Sequence, residues 1–181
     1  AAIDCYSRNL IIRMELDDSV GMAGVYHNLA NVYRGIFQYK VALEHYVKAL
    51  RINESLGNKR WIMNNYTGIG ILYKVQGEYD LALDYYRKAE AICIEIEYRR
   101  GLIFAYGNIA NVDKEQKKYE QALDYKIQAL TIIRELNLRY RIPGGLLGTG
   151  SVREKLNQND QARQDYVEGL ALAIELENKS S

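Results

Sequence analysis

One nine-residue stretch recurs along this chain at a fixed interval, and no other feature restricts the possible folds as strongly. Ala42-Leu43-Glu44-His45-Tyr46-Val47-Lys48-Ala49-Leu50 returns forty residues on as Ala82-Leu83-Asp84-Tyr85-Tyr86-Arg87-Lys88-Ala89-Glu90. It returns again as Ala122-Leu123-Asp124-Tyr125-Lys126-Ile127-Gln128-Ala129-Leu130, and in worn form from Ala162 to Leu170. A further copy, Ala2-Ile3-Asp4-Cys5-Tyr6-Ser7-Arg8-Asn9-Leu10, opens the chain. A period of this size means stacked supersecondary units, each too small to bury its apolar face alone. The 181 residues therefore read as one elongated all-α domain in which each unit touches mainly its neighbours.

Each full unit reads as two helices. In the first, Tyr26, Leu29, Ala30 and Tyr33 share a face at i, i+3, i+4 and i+7. The matching faces are Tyr66, Ile69, Gly70, Tyr73 and Tyr106, Ile109, Ala110, Asp113. The small residue recurring at Ala30, Gly70, Ala110 and Gly150 marks a place where a large one would push paired helices apart. The second helix is expected from about Tyr39 to Leu56, with Ala42, Tyr46 and Ala49 inward. Gly57 and Gly77 stand where a helix end needs a left-handed residue. Acidic Glu78, Asp80 and Glu120 fall in first turns, where the helix dipole favours them.

The units run 19–58, 59–98 and 99–138, after a lone second helix at 1–18 and before a degenerate unit and tail at 139–181. In that last unit Gly144, Gly145, Gly148 and Gly150 each weaken the helix by up to about 1 kcal/mol relative to alanine. Pro143 suits its first turn. Arg153 takes the place of the core aromatic, and Asn159 that of Tyr39, Tyr79 and Tyr119. The opening helix has no first-helix partner, and no polar capping helix follows the last unit, as the end of a solenoid needs. This predicts a piece of a longer solenoid whose bare ends, Ala2 to Leu16 and the Val167, Leu170, Ile174 face, self-associate end to end.

Charge excludes some functions. Twenty-four basic and 23 acidic residues nearly cancel, which argues against a bulk electrostatic grip on nucleic acid or an anionic membrane. No apolar run reaches spanning length and no secretory signal opens the sequence. Cys5 and Cys93 fall in second helices two repeats apart, too far for a disulfide when helices pack about 9 Å apart. Both read as small buried hydrophobes in a reducing, cytoplasmic compartment.

The order Tyr26, Leu29, Ala30, Tyr33, Ala42, Tyr46, Ala49 resembles the tetratricopeptide repeat, and Ala42 to Leu50 matches its second-helix signature. Tyrosine stands where the usual tryptophan would, and the closing proline is missing. The period is forty residues against the usual 34 or so, so the extra residues are expected to lengthen the second helix by over one turn. Such long repeats are similar to those of kinesin light chains, Pins-type spindle adaptors, bacterial peptide-sensing regulators and many bacterial signalling proteins. The resemblance implies a right-handed α-solenoid of antiparallel helix pairs that recognises protein without catalysis.

No chemistry-bearing constellation competes with that expectation. Gly145-Leu146-Leu147-Gly148-Thr149-Gly150-Ser151 lacks the lysine and the preceding strand that a phosphate-binding loop requires. His27 and His45 lie on different helices with no ligand-spaced Cys or carboxylate cluster, so no metal or cofactor is expected. No serine or cysteine has a positioned base, so no enzyme is expected either. The tyrosines lack the basic surplus of a single-strand nucleic-acid binder.

The remaining signal is polar and periodic. Asn28 and Asn31 recur as Asn108 and Asn111, off the apolar face of the first helix. An asparagine amide offers both donor and acceptor, so it can pair with a peptide backbone of any sequence. In the adaptors that this chain resembles, such asparagines face the concave groove and hold a bound peptide. Gly68, Ile71, Gly148 and Ser151 interrupt the ladder. His27 lies on the same face. Arg34, Lys74 and Lys114 recur near the end of the first helix, where the helix dipole favours cations and where they could form a rail for an acidic ligand, and Glu154 breaks the row. The lysine-and-asparagine clamp of chaperone-binding tetratricopeptide domains is absent, since His27, Gly68 and Phe104 occupy its places. The expected partner is therefore a protein or an extended, acidic peptide in the groove. The alternatives are a ligand-sensing regulatory module of a larger signalling enzyme or transcription regulator, and a structural or self-association module.

Overall fold

The computed structural model describes residues 2–178, among which there are nine α-helices, one short 3-10 turn and no strand. The helices are α1 (Ala2–Glu15), α2 (Ser19–Gly35), α3 (Tyr39–Ser55), α4 (Lys59–Val75), α5 (Tyr79–Glu95), α6 (Arg99–Glu115), α7 (Tyr119–Glu135), α8 (Ile142–Lys155) and α9 (Asn159–Asn178), with the 3-10 turn at Arg139–Arg141. The chain divides into two compact units, Ala1–Ile96 and Glu97–Ser181. In the first, α2 pairs with α3 and α4 with α5, while α1 packs on α2 and α3 on α4. In the second, α6 pairs with α7, α8 with α9, and α7 packs on α8.

The turns set the period. A residue with positive φ stands every twenty positions: Asp17, Phe37, Gly57, Gly77, Glu97, Lys117, Asn137 and Asn157. At the end of α2 the Gln38 N–H donates to the Tyr33 carbonyl at 2.9 Å and the Phe37 N–H to the Arg34 carbonyl at 3.1 Å. The same pair of bonds closes α6, from Lys118 to Asp113 at 2.8 Å and from Lys117 to Lys114 at 3.0 Å. This is the Schellman arrangement, which satisfies carbonyls that the helix end would otherwise leave bare. Repeating it every twenty residues makes α2 to α7 equal, at 17 residues each. The expectation of a lengthened second helix is thus corrected, because both helices of a unit share the additional residues.

Close helix approach is built on small residues. In the first unit Ala30, Ala42, Tyr46, Ile69 and Leu72 form one buried cluster. A Cβ on Gly68 would lie 2.5 Å from the Tyr46 ring, and one on Gly70 would lie 2.6 Å from the Tyr86 ring. In the second unit Ala110, Ala122 and Val152 are fully buried together, and a Cβ on Gly150 would meet the Tyr166 ring at 2.5 Å. These distances are below van der Waals contact, so the helix faces admit no side chain at those points.

The degenerate last unit holds by a different device. In the first two full units a ring on the first helix stacks on one from the second: Tyr33 on His45 at 5.2 Å and Tyr73 on Tyr85 at 5.6 Å. At the corresponding places of the last unit Arg153 pairs with Asp165 at 2.5 Å, and the Thr149 hydroxyl donates to Asp165 at 2.6 Å. Arg153 and buried Asp165 thus pair by charge where the first two full units have stacked rings. Helix α8 forms through its four glycines, shortened to 14 residues, with Pro143 in its first turn.

In the last three units an ion pair straps the start of the first helix, or the turn before it, to the end of the second helix. Lys59 pairs with Glu95, Arg99 with Glu135, and Arg139 with both oxygens of Glu175. All are about half exposed, so each contributes about 0–1 kcal/mol. Both cysteines are free. Cys93 is buried against the Met63 sulfur at 3.1 Å, and burial pushes its thiol up to about 11. Cys5 is exposed, which corrects the expectation that both are buried: α1 buries no residue at all. At the other end Val167, Leu170 and Ile174 of α9 are exposed, whereas Leu130, the equivalent of Leu170, is buried under α8 at Gly145.

Candidate functional site

The periodic polar residues divide into two sets once side chains are placed. Asn31 is tied to the second helix of its own unit: its Oδ1 accepts from the Tyr46 hydroxyl at 2.7 Å and from the Arg34 guanidinium at 3.2 Å. Asn111 repeats the arrangement with a different donor, its Oδ1 accepting from Lys126 Nζ at 2.8 Å. The carbonyl end of each amide is thereby occupied and the side chain is held in one orientation. Asn28 and Asn108, one turn earlier, make no side-chain hydrogen bond with any described residue. Asn28 is exposed and Asn108 half-buried.

The gaps in the ladder have a steric cause. Gly68 stands where a side chain would enter the Tyr46 ring. Gly148 stands where a Cβ would touch the Lys126 stem at 3.4 Å. At both places the second helix of the preceding repeat already fills the space. Ile71 replaces the second asparagine of its unit and leaves the buried Tyr86 hydroxyl with no partner. Burial raises the Tyr86 pKa far above the ordinary tyrosine value, because the phenolate would be stranded away from water.

His27 is held inside the packing of α2, α3 and α4. Its Nδ1 donates to Asn65 Oδ1 at 2.8 Å, and its ring meets Tyr46 and Trp61 edge-on at 5.4 and 5.3 Å. Burial keeps its pKa below the usual histidine value, with the Asn65 bond opposing in part. Asn65, fully buried, and Trp61 were not singled out by spacing, since neither recurs. Arg34, Lys74 and Lys114 all sit in last turns and are half-buried. Lys74 and Lys114 make no ion pair among the described residues. No group of three or more His, Cys, Asp or Glu among the described residues could hold a metal, and no helix there is long and apolar enough to cross a membrane.

Equal helix pairs, small-residue contacts and a polar first-helix face together define a helical-repeat solenoid. Tetratricopeptide repeat models match residues 22–57 and 61–135, together more than half of the sequence, and the chain belongs to the tetratricopeptide repeat family. Solved structures share its fold. BtubC (BKLC) from P. vanneervenii superposes with a TM-score of 0.88 at 18% identity, over 97% of this chain and 73% of that one. Aspartyl phosphate phosphatase F from Bacillus subtilis does so with 0.88 at 16%, over 97% of this chain, which spans 46% of the phosphatase. MamA follows with 0.70 at 14%, over 94% of this chain and 88% of that one. No curated protein matches the sequence significantly.

Proposed function

We propose that this chain is a binding module without catalytic activity, which holds an extended, net-acidic protein segment against the first-helix faces of its repeats. The observation that carries the reading is the contrast between paired and open amides. Asn31 and Asn111 are fixed by internal bonds, while Asn28 and Asn108 keep both amide ends available. Open amides carried on preformed helices bind backbone with little ordering cost. Arg34, Lys74 and Lys114 then favour acidic side chains.

The test uses a partner segment isolated by pull-down with this chain. Asn108→Ala is expected to weaken binding by about 1–3 kcal/mol, because a desolvated peptide group loses its partner. Lys74→Ala is expected mainly to slow association and flatten its salt dependence. The double variant Asn28→Ala, Asn108→Ala removes no internal bond, so its folding stability should stay unchanged. Full-strength binding by that double variant would move the site off this face.

A further inference from the structure

The second unit carries a groove of about 450 Å³ on α6, α7, the 3-10 turn and α8. Two cationic side chains line it, Lys126 and Arg141, and no carboxylate does. Arg141 is set in place by stacking over the Phe104 ring at 4.5 Å. Its neighbours Arg134 and Arg139 are paired with Glu168 and Glu175, whereas Arg141 makes no ion pair among the described residues. Lys126 adds a second positive charge, with its Nζ held on Asn111.

The floor of the groove is glycine. Gly107 and Gly144 lie in helices, and a Cβ on either would meet nothing within 4 Å. Packing therefore does not require glycine there, although each costs the helix about 1 kcal/mol relative to alanine. What both glycines preserve is open space beside the two cations. The first turn of α8 adds its positive dipole end to the same space through Gly144 and Gly145.

We propose that this groove takes a carboxylate side chain, aspartate or glutamate, of the bound segment. Arg141 and Lys126 hold the carboxylate, and the glycine floor lets the main chain of the segment come close. The inference rests on the reading of the chain as a peptide-binding module and assigns where the acidic preference is exerted.

The isotope-labelled chain, titrated with the peptide acetyl-Ser-Glu-Ser-Glu-Ser-Glu-amide and followed by the backbone amide signals of Gly107, Gly144, Gly145 and Gly148, tests it. Saturable shifts are expected at these glycines, with affinity about ten-fold weaker for the glutamine version of the peptide, since charge-assisted hydrogen bonds are lost. Arg141→Met is expected to weaken binding by about the same factor. A Cβ at position 107 meets nothing within 4 Å, so Gly107→Ala should leave the fold intact while it narrows the groove and weakens binding of the glutamate peptide. Equal affinity for the two peptides, unchanged affinity in Arg141→Met, or no saturable shift at these glycines overturns the proposal. If the Asn28, Asn108 double variant loses a pulled-down partner while Arg141→Met does not, this inference fails and the broader reading stands. If the glutamate peptide binds as expected while the double variant keeps its partner, only the broader reading fails.

Discussion

Tyr46→Ala is expected to lower the unfolding free energy by about 3–5 kcal/mol, the range seen when a large buried aromatic is truncated to alanine. The ring is fully buried, seated on Gly68 where no side chain fits, and its hydroxyl donates to Asn31 at 2.7 Å. Truncation opens a cavity among α2, α3 and α4 and removes one of the two donors on Asn31 Oδ1. The urea midpoint reads the loss. Removing only the hydroxyl separates the two contributions. Tyr46→Phe should cost about 0.5–1.5 kcal/mol, the net worth of one hydrogen bond, since Asn31 Oδ1 keeps its Arg34 donor. Tyr86→Phe should be neutral or stabilising, because that hydroxyl is buried with no partner. Equal losses in the two phenylalanine variants would contradict the hydrogen-bond account.

Ala82→Leu should destabilise by about 1–3 kcal/mol, the usual cost of forcing methylenes into a packed core. Ala82 is fully buried on α5, which pairs with α4, and the recurrence at Ala42, Ala82, Ala122 and Ala162 reflects that close approach. Leu81, the neighbouring residue, is 44% exposed, so Leu81→Ala serves as the control with a small effect. An unchanged urea midpoint for Ala82→Leu would mean that α5 has room at this point.

The fold was readable because its determinants are local and repeated. Tyr26, Leu29, Ala30 and Tyr33 name the buried face of α2 by spacing alone, and the alanines of the recurring stretch name the contact face of the second helix. The turn geometry was only partly readable. Gly57 and Gly77 announce a left-handed residue, but Phe37, Glu97 and Lys117 adopt the same conformation without any compositional sign. Their φ is imposed by the two backbone bonds that close each helix, and those are invisible in side-chain identity. Equal helix lengths follow from the same turns, so that expectation failed with them.

The site was less readable, because its state depends on partners across helices. Asn31 and Asn28 are alike as letters and differ only in whether Tyr46 reaches them. The change from stacked rings to an ion pair at Arg153 and Asp165 involves residues 12 positions apart on different helices, so either one alone looks like a defect. Lys126 and Arg141 belong to no periodic row, and only folding places them beside the same glycines.

The central claim is that partners lie on the first-helix face. A photo-crosslinking residue placed singly at Asn28, Asn108, Glu44 or Asp124 tests it on a captured partner segment. Glu44 and Asp124 are exposed on the second helices α3 and α7. Crosslinks from positions 28 and 108 and none from 44 and 124 are the predicted result. Crosslinks from 44 or 124 with none from 28 and 108 would contradict it.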